Sequence, residues 1–386
     1  SDDVCKYGIA DMRGVKDAGA IPVVKHFPGH GDTETDSHYG LPLVKKTKDE
    51  LWQSELLPFQ SAIKNGVPMI MAAHILCTEL DNKYPASMSE KIITELLRNE
   101  MGFDGVVITD DLTMGAISEN YSFREAAVLS INAGCDILSI AKPAIVLLTV
   151  MSIVSFLAAC SGSSEQNSKV SSSSSESSVF SQKSEQPSES SKQEISAPES
   201  SQSLTSESSV ESKETNSISQ KISEMTIDEK IGQMLMVGIE GTEIDEDFRL
   251  FAEKYKPGTI ILFGKNITDA EQLTNLTNSI KTTAGDIPYI IGMDEEGGSV
   301  TRLPDDVLSM PSALTVAASE NIDYCYNAGY HIGEQITSFG LHTGFCPVLD
   351  VWSNPDNTVI GDRAYGKNSD DVCKYGIADM RGVKDA

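Results

Sequence analysis

The stretch LLRNEMGFDGVVITDDLT, residues Leu96–Thr113, contains the pattern that decides the fold. It consists of the end of an amphipathic helix, a turn at Gly102–Gly105, a short apolar run and then the acids Asp110 and Asp111. An unbroken run rich in Val and Ile after a helix is typical of a buried parallel strand. The stretch therefore predicts one unit of an α/β fold, with polar side chains at the carboxyl end of its strand.

Seven further apolar runs share this character, and amphipathic stretches separate them. Eight such strands, without the glycine fingerprint of dinucleotide-binding sheets, predict the α/β class and a TIM (β/α)8 barrel. The other runs are PVVKHF at 22–27, MIMAAH at 69–74, CDILSI at 135–140, MLMVGI at 234–239, GTIILF at 258–263, YIIGMD at 289–294 and GFCPVLD at 344–350.

Three of the separating stretches are strong helix candidates. They lie near Asp323–Phe339, Asp49–Lys64 and Ser89–Glu100. Serine is a common helix cap, so Ser89 is expected to begin the third helix.

Five polar residues fall at or just after the carboxyl end of an apolar run. In a TIM barrel this end of the strands forms the active-site face. One such residue alone could cap the following helix, and Asp111 suits that role. Five on one face indicate a site, and they are Asp294, Asp350, His26, His74 and Asp110.

The order of the segments is unusual, because SDDVCKYGIADMRGVKDA occurs identically at 1–18 and at 369–386. One identical copy at each end is not the pattern of a solenoid repeat. We interpret the chain as a permuted reading in which residues 1–142 hold the C-terminal half of the barrel and residues 220–386 its N-terminal half. A true circular permutant is the alternative. In the restored order, residues 1–142 follow residue 386 and the two copies of the repeat overlap. The barrel then ends at CDILSI with no helix after it, so some C-terminal sequence is expected to be missing.

Residues 143–160, PAIVLLTVMSIVSFLAAC, form an apolar run about as long as the core of a signal peptide. Its end, Leu157–Cys160, resembles the lipobox of bacterial lipoproteins. That resemblance implies that Cys160 is lipidated and anchors the protein to the outer side of the bacterial cell membrane. A buried helix or an internal membrane span is the alternative. The serine-rich residues 161–219 hold few large apolar side chains and are expected to form a disordered linker.

The composition excludes some functions. A formal net charge of −27 and a pI of about 4.5 leave no surplus of Lys and Arg to release counterions from phosphates. No nucleic-acid partner is therefore expected. The chain of 386 residues is 40% apolar, which is ample for a packed core.

The stretch KHFPGHGDTETDSH, residues 25–38, holds half of the chain's six histidines. Its histidines and aspartates are typical metal ligands, so a metal site is one interpretation. We favour a site without metal, since the spacing is not HxxxH on a helix and the loop is rich in glycine. His30 and Asp32 are then expected to hydrogen-bond to the backbone of their own loop. His331 and His342 lack such a context and are expected to be core or surface residues.

Asp36 and His38 suit acid–base chemistry. Side chains two residues apart on an extended segment point the same way. Asp36 can accept a hydrogen bond from one ring nitrogen of His38 and leave the other nitrogen to face a substrate. Because the ordinary pKa of histidine is close to neutral, His38 can first donate and then accept a proton.

At Leu96–Thr113 the chain resembles the active-site signature of glycoside hydrolase family 3, with Asp110 in the place of the nucleophile. Residues 25–38 resemble the signature of the β-N-acetylhexosaminidase branch of that family. MDEEGGSVTRL at 293–303 and CPVLDVWSNPDNTVIGDRAYG at 346–366 are similar to that branch as well. The resemblance covers nearly all of the predicted barrel.

This resemblance implies hydrolysis with retention of configuration. Asp110 would attack the anomeric carbon, and His38, oriented by Asp36, would be the general acid/base. Neither a cofactor nor a metal is implied. The residues implied to hold the terminal sugar are Lys25, His26, Asp294, Arg302 and Arg363.

The resulting expectation is a lipid-anchored bacterial exo-β-N-acetylglucosaminidase that removes terminal GlcNAc from peptidoglycan fragments. A neutral histidine base repels an anionic sugar less than a carboxylate would, so anionic leaving groups such as muramic acid derivatives are expected to be preferred. Phosphorolysis is an alternative, since histidine also tolerates incoming phosphate better. A lipoprotein that binds wall sugars without cleaving them is the alternative from another class.

Overall fold

The structure is a computed structural model that describes residues 19–38, 40–141 and 218–386. The first copy of the repeat, the signal-like segment with Cys160 and residues 161–217 of the predicted linker lie outside these ranges. Within the described ranges, no helix is long and apolar enough to cross a membrane.

Parallel strands form the centre of the molecule. Seven of them make one sheet in the order β1-β3-β5-β6-β7-β8-β9, and β2 and β4 form a small second sheet. The strands of the described ranges are β1 (Val23–Phe27), β2 (Leu43–Val44), β3 (Met69–Ala72), β4 (Leu76–Cys77), β5 (Val106–Asp111), β6 (Ile137–Ile140), β7 (Leu235–Gly238), β8 (Thr259–Leu262) and β9 (Ile290–Met293).

The two edges of the large sheet, β1 and β9, are joined by residues 342–349. On one side, the N–H of His342 donates to the carbonyl of Ile291 over 2.7 Å. On the other, the N–H of Val23 donates to the carbonyl of Cys346 over 2.9 Å. All eight predicted apolar runs therefore take part in one ring of parallel segments.

Among the described residues, the GFCPVLD run contributes one isolated bridge to this ring, between Val348 and Lys25, although a regular strand was expected there. Pro347 has no N–H to donate to a neighbouring strand. Phe345 has a φ of +46°, which is incompatible with extended β structure. The sequence identified this segment correctly but not its irregular backbone.

Helices surround the ring. The predicted helix near Asp323–Phe339 is confirmed as α10, whereas Asp49–Lys64 forms two helices, α1 and α2. The main helices of the described ranges are α1 (Lys48–Leu51), α2 (Leu56–Lys64), α3 (Lys91–Glu100, with π-type hydrogen bonds), α4 (Gly115–Ser118), α5 (Phe123–Ala133), α6 (Ile227–Gln233), α7 (Glu246–Tyr255), α8 (Ala270–Thr282), α9 (Ala313–Ala317), α10 (Ile322–Ser338) and α11, made of Ser369–Asp371, Val372–Gly376 and Ile377–Asp385.

The capping role expected of Ser89 was wrong. No side chain caps the start of α3. The Ser89 hydroxyl instead donates to the Asp81 carboxylate over 2.7 Å. The third predicted helix exists, but burial of Ser89 beside an acid decides how its side chain is used.

The ring is filled with apolar side chains from all around it. Side chains two residues apart on a strand point to the same face. Lys25 therefore follows Val23, and Asp110 follows Ile108, as the next inward position towards the carboxyl end. This alternation brings the polar side chains to one mouth of the ring. The interior cluster comprises Val23, Met69, Met71, Val106, Ile108, Ile137, Met236, Ile261 and Phe345.

The second copy of the repeat forms α11 and ends beside β1. A Cβ atom added to Gly19 would lie 2.5 Å from the carbonyl carbon of Ala386. The chain end thus lies next to the residue that follows the first copy. Each strand of a closed ring has the same two neighbouring strands in the printed order and in the restored order. The structure therefore does not distinguish the two orders, and the permuted order stays a prediction.

Candidate active site

A cavity of about 360 Å³ opens at the carboxyl ends of the strands. Its floor is the interior cluster, represented by Met71, Met236 and Ile261. Most of the residues predicted for the site line this one cavity. They are Lys25, His26, His38, Asp110, Asp294, Arg302 and Arg363.

Asp110 occupies the end of β5. Its Oδ1 atom accepts the backbone N–H of Asp111 over 2.8 Å. Burial works against ionisation of Asp110, but His74, His26 and that N–H outweigh it and hold the pKa of the carboxyl below its usual value. Within the described ranges Asp110 Oδ2 has no hydrogen-bond partner. An ionised carboxylate with one free oxygen is suited to nucleophilic attack.

Asp36 holds His38 at the rim of the cavity. The carboxylate atom Oδ1 of Asp36 lies 2.8 Å from Nδ1 of His38 and accepts the backbone N–H of the same residue over 2.9 Å. Although partial burial opposes it, these two contacts lower the pKa of Asp36. The His38 side chain is 65% exposed. With Nδ1 directed to Asp36, Nε2 is left to exchange protons with a bound molecule.

The loop that carries this pair is docked onto the helix after β5. The backbone N–H groups of Gly115 and Ala116 donate to the carbonyls of His38 and Ser37 over 3.2 and 3.0 Å. These N–H groups belong to the first turn of α4 and have no partner within that helix. The contact fixes the position of the Asp36–His38 pair relative to the strand that bears Asp110.

His30 stabilises the same loop from inside. Its Nδ1 atom lies 2.6 Å from the Thr33 hydroxyl, and its Nε2 atom lies 3.4 Å from the Ser37 hydroxyl. Burial lowers the pKa of His30 and keeps the ring neutral. The loop-holding role was predicted correctly, but its ring contacts are side-chain hydroxyls rather than backbone groups.

The expectation for Asp32 was wrong in the same respect. Its carboxylate accepts the hydroxyl of Ser353 over 3.2 Å and pairs with Lys46 at 3.1 Å. Lys46 in turn lies 2.5 Å from the buried Glu55. Asp32 therefore ties the loop to neighbouring segments, and among the described residues its carboxylate accepts no backbone N–H of its own loop.

Two acids and three bases alternate across the cavity wall. Lys25 Nζ lies 2.8 Å from Asp294 and 2.7 Å from Glu296. Arg302 lies 4.0 Å from the other oxygen of Asp294. Arg363 binds Glu296 with two nitrogen atoms, at 2.7 and 2.8 Å. Three cations and two carboxylates give this wall a charge of +1.

Glu296 was missed by the sequence analysis. It stands between Lys25 and Arg363, and both cations outweigh the effect of burial and hold its pKa well below the usual value. Its neighbour Glu295 instead accepts the Thr301 hydroxyl and two backbone N–H groups. The sequence DEEGG holds three adjacent acids, and the backbone of this segment turns Asp294 and Glu296 towards Lys25 and Glu295 away from it.

Asp350 lies behind the cavity and supports its histidines. The buried carboxylate accepts the His30 N–H over 2.5 Å and lies 2.7 Å from His26 Nδ1. This contact fixes the ring of His26, whose other nitrogen remains for a ligand. Both residues were predicted from their places at strand ends. In the structure Asp350 lies behind the cavity and holds the ring of His26, which faces the cavity.

His74 and Asp111 are also supporting residues. His74 is buried, with Nδ1 at 2.7 Å from the Ser87 hydroxyl and Nε2 at 3.0 Å from the Asp111 carbonyl. The Asp111 carboxylate accepts the N–H and hydroxyl of Thr113. The capping role expected of Asp111 was therefore wrong, since α4 begins only at Gly115.

The two histidines without a motif are used as expected. His331 is an exposed helix residue whose Nδ1 lies 3.0 Å from Glu334. His342 is partly buried, and its Nδ1 accepts the N–H of Ile291 over 2.9 Å. Burial lowers the pKa of His342 to about 4, so it is neutral near pH 7.

No cluster in the described ranges has the three or more His, Cys, Asp or Glu side chains needed to hold a metal ion. The loop histidines instead face different partners: Asp350 for His26, hydroxyl groups for His30, and Asp36 for His38. The chemistry that this arrangement offers is proton transfer beside an ionised carboxylate.

Comparison with known proteins gives a consistent family assignment. The model described as Glycosyl hydrolase family 3 N terminal domain matches residues 2–169 and 226–386. Beta-hexosaminidase A of Pseudoalteromonas piscicida is 44% identical over 146 residues, which are 35% of this chain and 24% of that protein. A beta-hexosaminidase of Methylobacillus flagellatus is 38% identical over 125 residues, or 32% and 36% of the two chains.

Solved structures are similar over a part of the chain. A crystal structure of NagZ from Neisseria gonorrhoeae in complex with N-trifluoroacetyl-D-glucosamine has 27% identity and a TM-score of 0.37, and the match covers 39% of this chain and 46% of that one. In all three comparisons this chain spans less than half of the relative's length.

Proposed function

Because the chain belongs to glycosyl hydrolase family 3, we propose that it is a retaining exo-β-N-acetylglucosaminidase that removes terminal GlcNAc from peptidoglycan fragments. The observation that carries this proposal is the shared cavity, in which the ionised Asp110 faces the same space as His38 held by Asp36. Relatives named beta-hexosaminidase support the N-acetylhexosamine substrate.

In the first step, Asp110 attacks the anomeric carbon and forms a glycosyl-enzyme ester. His38, protonated on both ring nitrogens, gives its Nε2 proton to the oxygen of the leaving sugar as the glycosidic bond breaks. Asp36 stabilises the positive charge on the ring through Nδ1.

In the second step, a water molecule attacks the same carbon from the side that the leaving group vacated. His38 Nε2 takes the proton of this water, and the ester to Asp110 breaks. Two inversions at one carbon give net retention of configuration.

The polar wall of the cavity suits the terminal sugar. Lys25 and Arg363 are pinned by Glu296, and Asp294 lies between Lys25 and Arg302. Charged groups with fixed positions make strong, directional hydrogen bonds to hydroxyls. His26 adds a ring nitrogen. These five side chains would select one sugar end, which explains why the enzyme would act from the chain terminus.

We also propose that Cys160 is lipidated and that residues 161–219 let the barrel reach into the cell wall. The sequence Leu157–Cys160 supports this anchor. Expression of the full chain in bacteria with radiolabelled palmitate tests it. Label in the membrane fraction that is lost in Cys160→Ser supports the anchor, and equal labelling of both proteins contradicts it.

The catalytic proposal is tested with 4-nitrophenyl β-GlcNAc and the full chain. Turnover should fall by several orders of magnitude in Asp110→Asn, because no nucleophile remains. A mechanism-based fluorosugar should label the peptide that contains Asp110. Labelling of another residue, or unchanged turnover in Asp110→Asn, would overturn the assignment.

Phosphorolysis is distinguished by the product. Turnover in the presence of phosphate should release free GlcNAc at the same rate as in its absence. Formation of GlcNAc 1-phosphate at a higher rate would make the protein a phosphorylase that uses the same Asp110 and His38. Tight sugar binding without turnover of any β-GlcNAc substrate would favour the non-catalytic alternative.

A further inference from the structure

The side of the cavity formed by β6, β7 and β8 is apolar apart from one hydroxyl among the described residues. Met236 of β7, Ile261 of β8 and Phe263 just after β8 line this side. Ser139 of β6 lines it beside them. Because Ser139 follows the interior residue Ile137 by two positions, its side chain also points into the ring. These four lining residues form an apolar wall that holds a single hydroxyl, opposite the charged wall of Lys25 and Arg363.

The hydroxyl of Ser139 has no hydrogen-bond partner in the part of the chain that the structure describes. The backbone of the same residue is fully paired, since its N–H donates to the Thr109 hydroxyl over 3.0 Å and its carbonyl accepts the N–H of Leu112 over 3.0 Å. The residue is only 2% exposed. A buried hydroxyl without a partner is destabilising, and the apolar wall offers none. A polar group of the bound molecule would supply the missing partner.

The mechanism proposed above fixes which face of the terminal sugar looks out of the cavity. A retaining glycosidase places its nucleophile and its acid/base on opposite faces of the sugar ring. Asp110 extends from a strand end, whereas His38 lies at the rim with a side chain that is 65% exposed. The face that carries the β-linked leaving group therefore points towards the rim. Seen from that face, carbons C1 to C5 of a D-sugar run clockwise.

The handedness of the fold then assigns each side of the sugar to a strand. Parallel strands with right-handed crossovers run anticlockwise when the ring is seen from their carboxyl ends. With C1 beside Asp110 of β5, the clockwise direction leads through β3 to β1, so that C2 and C3 lie towards Lys25. The anticlockwise direction leads to β6, and there the ring oxygen and the hydroxymethyl group of C5 lie towards Ser139.

Of these two groups, the hydroxymethyl group is the better partner. The ring oxygen gains positive charge in the oxocarbenium-like transition state and loses its capacity to accept a hydrogen bond. The 6-hydroxyl both donates and accepts, as the serine hydroxyl does. Its CH₂ group also suits the apolar side chains of Met236, Ile261 and Phe263 next to Ser139.

We propose that Ser139 is a specificity-determining residue, whose hydroxyl hydrogen-bonds the 6-hydroxyl of the terminal sugar while the apolar wall packs against the adjacent CH₂ group. This inference rests on the proposed β-N-acetylglucosaminidase activity. It makes the free 6-hydroxyl a requirement for rapid turnover, and sugars that lack this group are poorer substrates.

The test compares Ser139→Ala with the wild type on 4-nitrophenyl β-GlcNAc and on its 6-deoxy analogue, in the full chain. On the GlcNAc substrate, kcat/KM should fall about 3- to 10-fold in the variant, the factor expected for one neutral hydrogen bond. On the 6-deoxy substrate, kcat/KM should be the same in both proteins. Damage to the fold would lower both values together, so the ratio of the two substrates isolates the contact.

Ser130→Ala is the matched control. Ser130 of α5 is also buried and its hydroxyl also lacks a partner, but it does not line the cavity. Removal of this hydroxyl should leave kcat/KM unchanged on both substrates.

Two results would overturn the role of Ser139 and leave the hydrolase intact. One is an equal loss of kcat/KM on both substrates in Ser139→Ala, which would assign the hydroxyl to packing or to another part of the sugar. The other is unchanged kcat/KM on both substrates, which would mean that no contact is made. A wild-type protein that turns over neither substrate would instead overturn the proposed function, and this inference with it.

Discussion

The backbone N–H of Gly115 donates to the carbonyl of His38 over 3.2 Å. This contact joins the loop of the Asp36–His38 pair to the helix that follows Asp110. The positions of His38, the proposed acid/base, and Asp110, the proposed nucleophile, are therefore coupled through main-chain atoms. Main-chain coupling is independent of the rotamers of the catalytic side chains.

Gly115→Pro tests this coupling, because proline removes the N–H but suits the first position of a helix. Met114 is already extended, with φ −65° and ψ 152°, as a residue before proline must be. We expect kcat/KM to fall about 10- to 100-fold through misplacement of His38. The free energy of unfolding should change by only about 1 kcal/mol, the contribution of one hydrogen bond.

Gly115→Ala is the matched control, since it adds a side chain and keeps the N–H. Its kcat/KM should remain close to that of the wild type. An equal loss in both variants would mean that space at this position, and not the hydrogen bond, decides the activity.

His38→Gln should have an effect that depends on the leaving group. With an alkyl β-GlcNAc, kcat/KM should fall about 10²- to 10⁴-fold, because proton donation to the departing oxygen is lost. With 2,4-dinitrophenyl β-GlcNAc the loss in kcat/KM should be much smaller, since this group departs as a stable anion. The same loss on both substrates would contradict a role as general acid.

Glu296→Gln should weaken sugar binding. The substitution leaves the buried Lys25 and the partly buried Arg363 without the carboxylate between them, which we expect to reduce the free energy of unfolding by about 3 kcal/mol. KM should rise more than kcat falls, because both cations are proposed to hold the sugar in the ground state as well as in the transition state.

Glu295→Gln provides the comparison for this variant. Glu295 is also buried, but burial raises its pKa and its partners are neutral groups. A smaller rise in KM is therefore expected. If the two variants had equal kinetics, the ion-pair network would have no special part in binding.

The buried Asp379 of α11 should make stability depend on pH. Burial raises the pKa of Asp379 to about 7, against about 3.9 in the unfolded chain. The folded state then binds more protons than the unfolded state between about pH 4 and pH 7. Stability is greatest below that range, decreases as the pH rises through it and is constant above it.

Asp379→Asn, combined with Asp11→Asn in the first copy, should remove this dependence and raise the melting temperature at pH 8. Urea unfolding from pH 4 to pH 8 measures it. The paired change Asp370→Asn with Asp2→Asn is the control: Asp370 is exposed, and the profile should stay unchanged. A steep profile that persists in the Asp11 and Asp379 variant would assign the effect to another group.

The sequence by itself predicted the ring of strands, and most of its predicted site residues line the cavity. Eight apolar runs have the length and composition of buried parallel strands. The direction of a strand follows from the sequence, so Lys25 and Asp110 could each be placed towards the carboxyl end of their strands. Asp36 and His38 could be paired because they are only two residues apart. Local patterns of this kind need no knowledge of distant segments.

The tertiary structure alone decided which residues support the site. Glu296 meets Lys25 and Arg363 across 271 and 67 positions of the chain, and Asp350 meets His26 across 324. No local pattern reports such contacts, because they depend on how separate strands and turns close the ring. For the same reason, only the folded chain brings Ala386 next to Gly19.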